Sequence, residues 1–158
     1  MMRKHILVLD DDVALLSMLK MRLKSTGHTV DTAETGWDGL TKLEHADYDV
    51  VLLDFLMPRI TGLTVLQHIQ ERHPSIPVVM MTGHTSSQVA VQALAAGARA
   101  CLLKPVGPVE LAQALQYCVG TAAKSGRITL DETTSRSTRY GPMDIPFAVR
   151  PSDNIFRK

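Results

Sequence analysis

Four compact apolar runs, His5–Leu9, Val50–Leu53, Val78–Met81 and Ala100–Leu103, and a more mixed one, Thr29–Ala33, recur along the first part of the chain. Each gives way to a segment in which apolar residues return every three or four positions. A run of four or five residues bounded by turn formers predicts a strand, and a three-to-four spacing predicts a helix with one buried stripe. The stripes are Leu15, Leu16, Leu19 and Leu23; Leu40 and Leu43; Leu63, Leu66 and Ile69; Val89, Ala90, Ala93 and Leu94; and Leu111, Leu115 and Val119. The punctuation agrees. Gly27 and Gly97 supply left-handed stops, Thr35 with Asp38 forms a cap, Gly62 opens a helix that Pro74 ends, and Pro108 suits a first helical position before a stripe that fades at Gly120.

Strand and helix alternating five times predict an α/β fold: an open, five-stranded parallel sheet with helices on both faces, since right-handed crossovers are near obligatory. Val50–Leu53 is apolar without alternation, as a strand buried on both faces must be. In the commonest order, 2-1-3-4-5, the winding reverses between the first and third strands, and ligands bind beyond the carboxyl ends of the strands there. Asp10 and Asp11 follow the first strand and Asp54 the third, so they converge at that crevice. Thr82 and Lys104 top the next two strands on the same rim.

Composition bounds this picture. A chain of 158 residues, 45% hydrophobic and 21% charged, suits one soluble domain with an appendage. Beyond Ala123 the residues shift to Ser, Thr, Arg and Pro, so residues 1–123 are expected to form the domain and 124–158 a C-terminal extension with no recognised effector domain. Residues 124–158 hold 7 Lys+Arg against 4 Asp+Glu, leaving 10 against 12 of the total 17 and 16 for residues 1–123. The extension is therefore the basic part. Ile128–Thr129–Leu130 could form a short strand in it, and Tyr140, Phe147 and Phe156 could pack on this domain or on a neighbour. It shows no helix-turn-helix spacing, so direct nucleic-acid binding is not expected. No apolar run is long enough to cross a membrane, the start of the chain lacks a secretory pattern, and Cys101 and Cys118 lie in apolar segments as buried free thiols would. A cytoplasmic location is the expectation.

The chemistry follows from the rim. By itself an aspartate after a strand is most often a cap or turn residue, and a lysine or threonine near a helix start is ordinary. Asp12, last of the three acids, is expected to cap the first helix. Joint placement changes the reading of the others. Crowded carboxylates repel and require a cation, and a small, oxygen-preferring ion such as Mg²⁺ suits two or three acids with a carbonyl and solvent. A lysine and a hydroxyl nearby would hold phosphoryl oxygens while a phosphoryl group moves onto or off Asp54.

At this point the chain resembles a known family, the receiver (CheY-like) domains of bacterial two-component response regulators. The residues that carry the likeness are Ile6-Leu7-Val8-Leu9-Asp10-Asp11-Asp12, Leu53-Asp54-Phe55-Leu56-Met57-Pro58 with Gly62, Met81-Thr82-Gly83, and Gly97-Ala98 leading to Lys104-Pro105, across roughly residues 4 to 120. The resemblance implies a flavodoxin-like sheet and phosphorylation of Asp54 by a sensor histidine kinase or histidine phosphotransfer protein. It implies Mg²⁺ held by Asp10, Asp11, Asp54 and the backbone carbonyl of Leu56, with Thr82 and Lys104 on the phosphoryl oxygens and a cis Lys104–Pro105 bond. Leu56 and His84 fall where the family tunes hydrolysis of the acyl phosphate. The family's switch face, formed by the fourth helix, fifth strand and fifth helix, is one candidate for homodimer contacts, and the extension is another. The aromatic residue usual three places before the lysine is Cys101 here.

Three classes of function stand. The favoured one is a signalling switch that acts through protein contacts and turns over no separate substrate. A haloacid dehalogenase-type phosphatase would instead use Asp10 as nucleophile and Asp12 as acid. A pseudo-receiver would serve as a docking module without phosphorylation.

Overall fold

The computed structural model describes residues 2–83 and 87–120. His84, the side chain of Val119 and the whole of 121–158, including the strand expected at 128–130, lie outside the described residues. Within them strands and helices alternate: β1 (His5–Leu9), α1 (Val13–Ser25), β2 (Thr29–Ala33), α2 (Gly36–His45), β3 (Val50–Asp54), α3 (Gly62–Arg72), β4 (Val78–Thr82), α4 (Ser87–Ala95), β5 (Ala100–Leu103) and α5 (Pro108–Gly120). All neighbouring strands run parallel in the order β2-β1-β3-β4-β5, as the alternation predicts.

The unbroken apolar runs are explained by two cores, one on each side of the sheet. Val51 and Leu53 of β3 pack with Leu43, Val65, Leu66, Ile69, Ala90 and Ala93 from α2, α3 and α4. Val50 and Leu52 pack with Leu16, Leu19, Leu23, Leu111, Ala114 and Leu115 from α1 and α5. All five residues of β3 and of β4 are buried. Since each fully buried Leu or Val contributes about 1.5–3 kcal/mol, these two strands anchor the sheet.

The helix stripes are close to the expected ones. In α3 the core side is Gly62, Val65, Leu66 and Ile69, with Leu63 only partly buried on its flank. Helix α3 stops at Arg72 with His73 as its C-cap, before Pro74, because the residue preceding a proline avoids helical geometry. Asp12, Thr35 and Thr61 are the N-caps of α1, α2 and α3, accepting the N–H groups of Leu15, Asp38 and Thr64, each cap being worth about 1 kcal/mol.

At the amino ends of the strands, polar groups tie distant segments together. The Tyr48 hydroxyl donates to Asp31 Oδ2 at 2.8 Å, and His5 Nε2 lies 2.8 Å from the same oxygen. His28 is buried, and its Nδ1 accepts the Lys4 N–H at 3.2 Å. Burial, and then the charge of Lys4, holds its imidazole below the ordinary range.

The β3–α3 connection shapes the opposite rim. Arg59 takes φ +71°, and the Ile60 N–H donates to the Pro58 carbonyl at 2.9 Å, closing a three-residue turn. Gly62 then donates to the Phe55 carbonyl at 3.0 Å. A Cβ at position 62 would run into the Asp54 carbonyl oxygen and the Phe55 backbone. Gly62→Ala should therefore cost about 1–3 kcal/mol in chemical unfolding, because neither obstacle is a side chain that can swing away.

A second prediction concerns acid. A histidine whose folded pKa is depressed favours the native state fully above its unfolded pKa, and that contribution is lost as pH falls towards the folded value. Wild-type stability to urea should thus drop between about pH 7.5 and about pH 5, and the drop should be smaller in His28→Gln. An unchanged pH dependence would remove this role from His28.

Candidate functional site

Strand alternation selects which side chains meet. Ile6 and Val8, Val50 and Leu52, and Ala100 and Leu102 all face α1 and α5. One step of two further along each strand stand Asp10, Asp54 and Lys104. Val78 and Met80 face the other side, and Thr82 continues that series. The rim therefore receives two acids and a cation from one face and a hydroxyl from the other.

Backbone pairing fixes the heights of these groups. Leu9 is level with Leu53, Asp54 with Met81, and Thr82 with Leu103. Past the strand ends the Asp10 N–H donates to the Ala33 carbonyl at 3.1 Å, the Phe55 N–H to Met81 at 2.8 Å and the Lys104 N–H to Thr82 at 2.8 Å. The Lys104–Pro105 bond is cis.

Asp10, Asp54 and Thr82 are buried at 0%, 4% and 2% exposure, whereas Asp11 faces solvent. One oxygen from each of Asp10, Asp11 and Asp54 falls within 4.8 Å of the others. Lys104 Nζ stands 2.6 Å from Asp10 Oδ2 and 3.0 Å from Asp54 Oδ1. The Leu56 N–H reaches Asp54 Oδ1 at a long 3.4 Å, with the Leu56 side chain exposed. Asp10, Asp11, Asp54 and Lys104 thus come together, with Thr82 at the end of β4 and Leu56 two places past Asp54. Asp12 stands at the edge of this group, one oxygen of its carboxylate accepting the Leu15 N–H as the N-cap of α1.

Electrostatics follow from this crowding. Burial raises Asp54 to about 6, and the Asp10 charge adds to the rise, while Lys104 and the Leu56 N–H oppose it. Burial also works against the charge on Lys104, but Asp10 and Asp54 outweigh it and hold the ammonium above its ordinary range. With three carboxylates against one ammonium, two negative charges remain in excess.

A hard divalent cation fits this set. The donors are carboxylate oxygens from two buried residues and one solvated residue, and the preference of Mg²⁺ is for a few acids plus water. Asp10 Oδ2, fully buried, has no aligned hydrogen-bond donor, since the nearby ammonium of Lys104 lies off the hydrogen-bond direction. An oxygen in that condition is suited to a cation.

Sequence reasoning did not anticipate that Lys104 bridges both buried acids, nor that Gly62 closes on the Asp54 carbonyl. The position three before Lys104 is indeed Cys101, buried among Ala90, Ala93 and Met80, its thiol pushed up to about 11 by burial. It is a packing residue.

Comparison with known proteins agrees with this architecture. The sequence model of the response regulator receiver domain matches residues 6–116. The transcriptional regulatory protein GlrR of Escherichia coli is 40% identical over 119 residues, covering 75% of this chain and 27% of that protein. The transcriptional regulatory protein ZraR of Salmonella typhimurium is 35% identical over 121 residues, covering 77% and 27%. This chain therefore spans about a quarter of the length of these curated relatives. Their names concern transcription, so the expectation of no direct nucleic-acid binding finds no support. Among solved structures, a CheY-like receiver domain protein from Methanospirillum hungatei superposes with TM-score 0.73 at 33% identity, covering 79% of this chain and all of that one. NtrX from Brucella abortus, solved in complex with ATP, gives 0.74 at 31% identity, covering 77% and 28%. A rim of converging acids, a matching family over residues 6–116 and the same five-stranded fold leave one conclusion: the chain belongs to the response regulator receiver domain family of two-component systems.

Proposed function

We propose that this chain is a phosphorylation switch in which Asp54 accepts a phosphoryl group from the phosphohistidine of a sensor histidine kinase or a histidine phosphotransfer protein. The observation that carries the reading is the Lys104 ammonium set between the buried carboxylates of Asp10 and Asp54. Asp10, Asp11, Asp54 and the Leu56 carbonyl would hold Mg²⁺, which supplies charge neutralisation for phosphoryl oxygens.

An oxygen of the ionised Asp54 attacks phosphorus, the phosphorus–nitrogen bond of the donor breaks, and the departing imidazole nitrogen takes a proton from solvent. Asp54 must be ionised to attack, and its burial, with the Asp10 charge added, opposes that. Lys104 and the Thr82 hydroxyl then donate to the phosphoryl oxygens, exchanging one charge partner on Asp54 for a more highly charged one. No separate substrate is turned over; the change in contacts is the output.

The donor protein docks at this rim, where Val13 and Leu56 are exposed apolar side chains beside the acids. A homodimer would use α4, β5 and α5, where α4 carries no charged residue and Val91, Val109 and Tyr117 are exposed. We assign residues 1–123 to the receiver and 124–158 to an extension of it. Among the described residues no helix is long and apolar enough to cross a membrane, and a cytoplasmic site of action is the reading that suits a kinase partner.

Treatment with acetyl phosphate and Mg²⁺ followed by peptide mapping should place the label on Asp54. Asp54→Asn should abolish labelling, and Lys104→Ala should lower its rate by about tenfold or more, the scale for losing one preorganised charge-stabilising donor. Label on Asp10 would restore the phosphatase alternative, and absence of any Mg²⁺-dependent label would favour the docking module.

Stability provides a further check. A carboxyl whose folded pKa is raised favours the native state when protonated, so its stabilisation is present below the unfolded value and is lost as pH rises towards about 6. In metal-free buffer at neutral pH, Asp54→Asn should be more stable than wild type by up to about 2 kcal/mol, a gain that disappears near pH 4. Added Mg²⁺ should raise the thermal midpoint of the wild type and leave that of Asp54→Asn nearly unmoved.

A further inference from the structure

We infer that Asp12 is a positioning residue that fixes the orientation of the Asp10 carboxylate and thereby sets the affinity of the site for its cation. The inference rests on the reading of Asp10 as a metal ligand.

Three hydrogen bonds meet at this residue. The Asp12 N–H donates to Asp10 Oδ1 at 2.9 Å, closing a turn in which a side chain grips the backbone two positions on. The Asp12 side chain accepts the Leu15 N–H at 3.1 Å, and its carbonyl accepts the Leu16 N–H at 3.0 Å. Asp12 is thus fastened to α1 through its carboxylate and carbonyl and to Asp10 through its amide. Its backbone, at φ −81° and ψ 99°, is the extended geometry of an N-cap.

The consequence for Asp10 is directional. Its backbone is held by the bond from its own N–H to Ala33, and its Oδ1 is held by the Asp12 amide. Oδ2 then lies 2.6 Å from the Lys104 ammonium. Lys104 ends a long, flexible stem, so the Asp12 amide is the stiffer of the two restraints on the carboxylate. That amide stays in place only while α1 begins where it does, and the cap decides where α1 begins. Without it the first turn of α1 frays, the amide at position 12 drifts, and Asp10 must be reoriented each time a cation binds.

The test is calorimetric titration of the full chain with Mg²⁺. Asp12→Ala should raise the Kd about three- to tenfold, while Asp12→Ser, which keeps the cap without the charge, should stay within about twofold of wild type. Thr35→Ala removes the cap of α2 at a similar cost in stability and should leave the Kd unchanged. An unaltered Kd in Asp12→Ala overturns the inference. So does Asp12→Ser binding as weakly as Asp12→Ala, which would mean that the charge of Asp12 acts on the metal itself, and so does an equal loss in Thr35→Ala. If the wild type takes up no Mg²⁺, the metal reading fails, and amide hydrogen exchange at position 12 decides the rest. Exchange should speed up in Asp12→Ala and not in Asp12→Ser, and equal exchange in all three proteins would refute the linkage.

Discussion

One ammonium between two buried carboxylates is the constraint around which this domain is arranged. Asp10 and Asp54 have almost no contact with water, and Lys104 retains little. Removing such charges from solvent is costly, and their mutual attraction offsets the cost only when the geometry is held firmly. The fold provides that hold at the cost of flexibility in three places. Parallel pairing sets the strand ends level, Gly62 lets the loop after Asp54 close on its own backbone, and α1 starts immediately behind the acids. Gly62 and the start of α1 act from residues that would not themselves touch a phosphoryl group.

The excess of negative charge is equally a property of the arrangement. A single lysine cannot balance three acids, so the rim stays receptive to further positive charge, and Asp54 is more basic than a solvated aspartate. Under the proposed function, both features suit a nucleophile that a cation would make competent. A neutral residue at position 54 would relieve this crowding and leave the proposed switch without its acceptor.

Much of this could be read from the residues in order. Five alternations of strand and helix dictated the sheet, and a switch point between the first and third strands brought Asp10, Asp11 and Asp54 together before any distance was known. Asp12 and Thr35 as caps were legible because capping chemistry is local. What was not legible was either long-range or contrary to preference. The Tyr48–Asp31–His5 cluster joins residues far apart in sequence whose pairing no periodicity reveals. The left-handed conformation of Arg59 is unexpected because arginine has no affinity for that region. On α3 the series Leu63, Leu66, Ile69 looked regular, yet the helix turned Val65 inward, since packing on Leu53 and Leu43 selects the face rather than residue size.

The two cysteines acquire a use from where they lie. Cys101 belongs to the layer under α2, α3 and α4, and Cys118 to the layer under α1 and α5. Burial pushes both thiols up to about 11, so neither reacts while its layer is closed. Each half of the domain therefore carries its own silent chemical clock. The speed with which a thiol reagent finds one sulfur and not the other reports which side of the sheet breathes when the rim changes charge.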